Sequence, residues 1–562
     1  MEKRIFLAIL ISLGLLWGWA ALAPRIFPEL AKTTPVVKPA DPMTSATSTD
    51  AATATTGSAA ATTASPASTP ATSVAGSPVT AAPITAAPIT ADRVQLTVVE
   101  TPEYKAVLTN RGAQLISFEL KKYLRKKSKE PEDLVKEREP HRSDYPFTIV
   151  PAQPALLALN TALYAVSDVE ANGQRVVEYR YSDGRVTATK TFRFSNQPYL
   201  FDFSVSINPP TPYRVAVGPG IRTLGAAEQD TQVVTTGNGI YQAAGSLEIV
   251  GRDGASNLQA VPAVDYIGVE DNYFLTSLRP KRAGDGILQR VTFIDAKTKV
   301  RRDDLYAGLN ANGDGTLAAE AFFGPKETTL LDQYGMGEAL QFGWFSMIAR
   351  FFLTALLWLN KFTHNYGFAI VVLTILIKIV LYPLQHKSIV SMKKMQKVQP
   401  KVELIKAKYK KSKTDAEQRQ KMNVEMMDLY KREGINPMAG CLPLVLQLPI
   451  LWGFYNLLSR AIELRGAPWI LWIHDLSDKD PTYVLPVLMT ATMFIQTYIT
   501  PTTGDPMQRK IFLIMPLVFG FLFKDFPSGL VLYWLVQNIL TITQQMIMNK
   551  WWKDHPSEIE KA

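Results

Sequence analysis

Cysteine is almost absent. Cys441 is the only one in 562 residues, so the chain has no intrachain disulfide, no thiolate metal site and no redox pair. Histidine is scarce and scattered (His141, His364, His386, His474 and His555), without the spacing of metal ligands. Neither G-x-x-x-x-G-K-[ST] nor H-E-x-x-H occurs, which excludes P-loop NTPase and zinc-protease chemistry of those types. Asp and Glu are missing from the interiors of the apolar runs at 367–384, 438–460, 483–500, 509–524 and 527–548. A proton- or sodium-coupled transporter usually needs a carboxylate at that depth. No nucleophile–base pair can be assembled from these runs either, so the chain does not read as an intramembrane enzyme. No cofactor or metal is expected.

What is present is positive charge, apolar runs and alternation. The formal net charge is +10. Its densest stretch lies between two apolar runs and not on a DNA-reading motif, so nucleic-acid sequence recognition is not expected. Residues 1–24 carry Lys3 and Arg4 ahead of an apolar run from Ile5 to Ala23. A membrane anchor of about 17–25 residues fits. A cleaved signal peptide is the alternative, because Ala21-Leu22-Ala23 resembles a cleavage site. The length of the run and the spans that follow favour the anchor. Residues 25–92 are rich in Ala, Thr and Pro and read as a disordered linker.

From 93 to 335 the period becomes two. "YLFDFSVSI" (199–207) puts Phe201, Phe203, Val205 and Ile207 on one face, and "VEYRYSDGRVTATKTFRF" (177–194) reads as two strands around a Ser-Asp-Gly turn. An antiparallel β-sandwich domain is expected. Residues 125–146 read as a charged surface excursion. "NANGDGTLAAEA" (310–321) begins like a calcium loop but has Ala321 where a bidentate Glu belongs, so a plain turn is the better reading.

The remainder reads as a polytopic α-helical membrane protein. Residues 340–362 carry Ser346, Arg350 and Thr354 as a narrow polar stripe, suited to an amphipathic interfacial helix. Spans are expected at 363–384, 438–460, 483–500, 509–524 and 527–548. Loop 385–437 is lysine-rich and belongs in the cytoplasm. Loop 461–482 is acidic on balance and belongs outside. With the anchor, this gives six spans, both ends cytoplasmic including the short tail 549–562, and the β domain outside. The basic loop reads as two helices around "KKSKTD" (410–415), a hairpin suited to protein partners or to anionic lipid.

Three runs carry polar stripes. Thr374, Lys378 and Tyr382 share one helix face. Thr492, Gln496 and Thr500 repeat the spacing, and the last run carries Trp534, Asn538, Thr541 and Gln545, with Gln537 and Gln544 beside them. Two readings stand for these groups: interhelical hydrogen bonding, or a shared wet surface. Lys378 weighs toward the second. A lysine at a helix centre costs about 2.5–3.5 kcal/mol on insertion scales, and the runs offer it no carboxylate. Snorkelling to the nearby cytoplasmic edge is the competing account.

"GINPMAGCLPLVLQLPILWGFYNLL" (434–458), "APWILWIHDLSDKDPTYVLPVLM" (467–489), "TPTTGDPMQRK" (500–510) and "FPSGLVLYWLVQNILTITQQ" (526–545) resemble the YidC membrane-protein insertase family, in order, over about 340–550. The overall plan is similar to the Gram-negative type. That resemblance implies a periplasmic β-supersandwich, a five-helix core and a bacterial inner-membrane location. It implies an insertase and chaperone whose hydrophilic, positively charged groove receives nascent membrane proteins, alone or with the Sec translocon. Ribosome or targeting-factor contact through 385–437 is a further implication. By the same resemblance Lys378 stands where the family commonly has arginine, and Trp534, beside Tyr533, where many relatives have tyrosine. The implied groove residues are Lys378, Thr374, Tyr382, Thr492, Gln496, Tyr533, Trp534 and Asn538. A channel or transporter using the same polar cavity is the alternative. The supersandwich also resembles sugar mutarotases, which use histidine chemistry, but His141 is the only histidine in the β domain.

Overall fold

The computed structural model describes residues 87–126, 130–135, 144–151, 153–223, 236–252, 258–294, 301–409, 415–435, 442–500 and 506–554. The expected anchor, nearly all of the linker, the tip of the basic hairpin at 410–414 and the tail beyond Asp554 lie outside these residues.

Alternating side chains build the N-terminal half. In the strand Leu200–Asn208 the residues Phe201, Phe203, Val205 and Ile207 are buried, while Ser206 faces solvent. This strand pairs antiparallel with Thr187–Phe194 on one side and Thr316–Pro325 on the other. Among the described residues the strands form antiparallel sheets of four, five and nine strands. Between them lies an aromatic core. Phe147 lies tilted against Phe203 at 4.5 Å and meets Phe192 edge-on at 5.1 Å, and Phe201 lies 5.7 Å from Phe323. Such pairs contribute about 0.5–1.5 kcal/mol each beyond their area.

The turns follow their sequence signals. Asp183 accepts from the Arg185 and Val186 amides at 2.8 and 2.7 Å and closes the hairpin between Gln174–Ser182 and Thr187–Phe194. At 310–316 the oxygens that resembled calcium ligands are taken by protein donors. Asn310 accepts from Arg214 at 3.2 Å, and Asp314 accepts from the Thr316 amide and hydroxyl at 3.0 and 2.6 Å. It is a plain turn, as read, and it carries the chain from Arg301–Asn310 in the five-stranded sheet to Thr316–Pro325 in the nine-stranded one.

Eight α-helices appear among the described residues: α1 Thr328–Gln333, α2 Ser346–Thr363, α3 Tyr366–Lys408, α4 Ala416–Arg432, α5 Leu442–Arg460, α6 Val484–Ile499, α7 Pro506–Phe523 and α8 Ser528–Asp554. Helix α2 buries Ala349, Phe352, Leu353, Leu356 and Leu359 and exposes Met347, Phe351, Trp358 and Phe362. Its stripe residue Arg350 fastens the helix to the preceding turn by donating to the Gly337 and Leu340 carbonyls, both at 3.0 Å.

Helix α3 differs from expectation. A span ending at Leu384 was anticipated, yet the helix runs unbroken for 43 residues through Pro383 and Pro400. Proline removes one backbone donor and clashes one turn back. Packing on both sides of Pro383 holds the helix together: Thr374 and Lys378 are buried before it, Ile389 and Val390 after it. At about 1.5 Å per residue the helix is about 65 Å long, enough to cross a bilayer and project well beyond it. It is long and apolar enough to span, and Val484–Ile499 and Phe512–Phe523 are shorter apolar helices. Side chains such as Ile379, Val380, Val487, Leu517, Val518 and Phe521 are exposed, an apolar surface suited to lipid.

The projecting end of α3 pairs with α4 as the basic hairpin. Met395, Val398, Val402 and Ile435 form its small core, and the Lys401–Glu433 and Lys408–Glu425 pairs, at 2.6 and 3.0 Å, flank it. Asp415 caps α4 by accepting from the Glu417 and Gln418 amides.

The β domain is docked on the helices by buried charge. The excursion at 125–146, expected to be solvated, contributes the strand Pro131–Asp133, and its Glu132 is wholly buried. Glu132 accepts from Arg222 at 3.1 Å and from Arg465, beyond α5, at 2.8 Å. Arg222 also pairs with Asp271. Both guanidiniums lie about 5 Å from the Phe274 ring (5.1 and 5.3 Å). Asn272 donates to the Ser459 carbonyl at 3.1 Å, and Glu463 accepts from the Thr328 amide and hydroxyl at 3.0 Å.

Candidate functional site

The site grows from three helices with polar residues on facing sides. Lys378 on α3 is only 7% exposed, and its ammonium donates to the Thr541 hydroxyl of α8 at 2.9 Å. One turn earlier Thr374 is fully buried and returns its hydroxyl to the Ile370 carbonyl at 2.7 Å. The same two helices meet again where Ile389 and Val390 pack with Met548 and Trp552. Helix α6 is stitched to α8: Asn538 donates to Thr492 at 3.2 Å and Gln545 to Thr500 at 3.0 Å. Gln496 accepts the Thr500 hydroxyl on its carbonyl at 2.6 Å, and its side chain is half-buried.

How Lys378 is satisfied sets it apart. Lys190, in the β domain, is also buried, but its ammonium meets three carbonyls: Gly112 at 2.7 Å, Ala113 at 3.3 Å and Phe147 at 2.8 Å. An ammonium has three donors, so Lys190 is fully used by the fold. Lys378 has one neutral hydroxyl, and no carboxylate pairs with it among the described residues. Nearby helix faces carry further unspent polar atoms. Gln385 Oε1, Gln537 Oε1 and both amide atoms of Gln544 are buried without a protein partner. Buried polar atoms of this kind are normally satisfied by water or ligand.

The other anticipated residues sit differently. Trp534 is half-buried against α7, 4.8 Å from Phe523 and 5.9 Å from Phe519. Tyr533 is fully buried on the opposite side, stacked on Phe454 of α5 at 4.5 Å, with its hydroxyl accepting from Gln447. Tyr382 is 48% exposed, with its ring 5.8 Å from His386. The structure therefore ties two helices to α8, Lys378 of α3 through Thr541 and Thr492 of α6 through Asn538, with Thr374 one turn from Lys378, and gives Tyr382 and Tyr533 other neighbours. Thr541 carries the contact to Lys378. It was visible as a stripe residue, but helix spacing alone does not reveal which residue on another helix it meets.

Comparison with known proteins covers the whole arrangement. Residues 96–355 match the family described as YidC periplasmic domain, and residues 358–555 match 60Kd inner membrane protein. The membrane protein insertase YidC of Geobacter metallireducens is 34% identical over 98% of each chain. That of Syntrophus aciditrophicus is 35% identical over 98% of this chain and 100% of its own. A crystal structure of an active YidC insertase is 20% identical and covers 81% of this chain and 94% of its own, with a TM-score of 0.36. By this full-length identity the chain belongs to the YidC membrane-protein insertase family.

Proposed function

We propose that the chain inserts and helps fold inner-membrane proteins through a hydrated, positively charged groove lined by α3, α6 and α8. The observation that carries this reading is Lys378: a nearly buried cation, held by one hydroxyl, with no carboxylate partner among the described residues. Neutralisation within the fold is thereby avoided, and the field remains available to an incoming acidic or polar segment. Attraction between charges strengthens as the local dielectric falls. The passing segment meets Lys378, Thr374, Thr492 and Asn538 and leaves toward lipid past Trp534. Gln496, Tyr382 and Tyr533 complete the expected set, at the margins and in the packing behind it. The work is solvation, with no bond made or broken, so the protein is not an enzyme.

The topology that serves this function has six spans, both termini in the cytoplasm and the β domain in the periplasm. Only that arrangement puts the lysine-rich hairpin on the cytoplasmic side while α2 lies in the interface. The hairpin is then placed to receive a ribosome or targeting factor and to touch anionic lipid, and the Sec translocon is a natural neighbour. Short apolar runs (17 residues from Phe368 to Leu384, 13 from Ile511 to Phe523) favour a locally thinned bilayer and a shorter crossing.

The test is a photocrosslinker at position 534, with stalled nascent chains of a single-span substrate. Crosslinks that move along the substrate as the chain lengthens are expected. Ion or solute flux through the reconstituted protein without a nascent chain, and no crosslink, would overturn the proposal.

A further inference from the structure

We infer that Thr541 is a positioning residue for Lys378: its hydroxyl holds the ammonium between α3 and α8 without neutralising it. The inference rests on the groove reading above and adds the group that makes the charge usable.

The chemistry follows from the inventory of one hydroxyl. A threonine has one proton to give and lone pairs to accept with. Thr541 gives its proton to the Gln537 carbonyl of its own helix at 2.8 Å. The oxygen therefore faces Lys378 as an acceptor, and the ammonium donates to it at 2.9 Å. Lysine carries its charge on a flexible four-carbon stem, and the apolar run ends at Leu384, the expected cytoplasmic edge. An unheld ammonium at this place escapes to that edge. A carboxylate at position 541 would hold it better but cancel the charge. A neutral acceptor fixes the position and leaves the field intact. The surroundings agree with a fixed geometry, because α3 and α8 are clamped again by Ile389, Val390, Met548 and Trp552.

The experiment compares Thr541→Val, Thr541→Ser, Lys378→Leu and the Thr541→Val/Lys378→Leu double variant of the full chain in proteoliposomes. Two single-span substrates are used, one with an acidic translocated tail and one with a neutral tail, and folded insertase is quantified in parallel. Valine keeps the shape of threonine and removes the hydroxyl, and with it both the acceptor for Lys378 and the donor to the Gln537 carbonyl. Thr541→Val is expected to slow the acidic substrate by about tenfold, the low end for losing a hydrogen bond to a charged group, and to slow the neutral one much less. Thr541→Ser should restore most of the rate. The double variant should be no slower than Lys378→Leu alone, because the threonine acts only through the lysine. A defective Lys378→Leu beside a Thr541→Val that inserts the acidic substrate at wild-type rate overturns the positioning role and leaves the groove standing. Equal losses for both tails with reduced folded protein show a packing role and also overturn it. Wild-type insertion by Lys378→Leu removes the groove reading and the positioning role together.

Discussion

Arg465→Met tests whether the β domain is rigidly fixed to the helices. The Arg465 side chain is buried, donates to Glu132 at 2.8 Å and lies 5.5 and 5.3 Å from the Tyr273 and Phe274 rings. Removing one partner of a buried ion pair usually costs about 3–5 kcal/mol, because the other charge is left stranded. Here Glu132 keeps Arg222 at 3.1 Å, so the stranding is partial. Methionine also fills most of the vacated apolar volume. About 2 kcal/mol is therefore the expected loss. Most of it should fall on docking, because Arg465 joins two regions and does not stabilise either alone. A double-mutant cycle with Glu132→Gln isolates the pair and should return a coupling of about 1–3 kcal/mol. The assay is denaturant unfolding in nanodiscs, with hydrogen exchange at the Asn272–Phe274 turn as the local readout. The variant should open that turn while the aromatic core around Phe147 and Phe203 stays protected. Additive single variants and unchanged exchange would refute a buried charged lock.

Two other predictions concern the same face of the molecule and the topology. Burial pushes the Glu463 carboxyl above its ordinary value, against the lowering effect of the Thr328 hydrogen bonds. Between the ordinary value near 4.5 and the raised one, the folded state holds more protons than the unfolded state, so stability falls as pH rises through that window. Glu463→Gln keeps the acceptor for Thr328 and should lack this slope in unfolding measured from pH 4.5 upward; identical slopes would contradict the burial argument. A protease-site or accessibility tag at position 411 should report cytoplasmic exposure, and a periplasmic signal would make α2 a span and reverse the helical region.

Much of this architecture is readable in the residues. Phe201, Phe203, Val205 and Ile207 alternate with polar neighbours because one face of their strand is buried, and the structure buries them. The Asp183 and Asp314 turns follow from side chains that satisfy their own backbone. Lys378 stands out by its cost alone. Other features are hidden for physical reasons. Pro383 and the onset of lysines both signal a helix end, yet tertiary packing carries α3 through to Lys408. Glu132 sits in a run of charges that reads as solvated surface, and only the arrival of Arg222 and Arg465 from distant segments makes burial affordable. The Lys378–Thr541 contact depends on the register of two helices 163 residues apart in the chain, which a one-helix periodicity does not encode.

The central claim is that an unneutralised positive charge at Lys378 drives insertion. It is tested most directly by inserting a short acidic-tailed substrate into proteoliposomes with Lys378→Arg, Lys378→Leu and Lys378→Glu, each normalised to folded insertase. Removing the lysine relieves an insertion cost of about 2.5–3.5 kcal/mol and leaves Thr541 bonded to Gln537, so the leucine variant should fold at least as well as wild type. Arginine should insert near the wild-type rate, leucine well below it, and glutamate lowest, because attraction becomes repulsion. Equal insertion by all three variants would contradict the account.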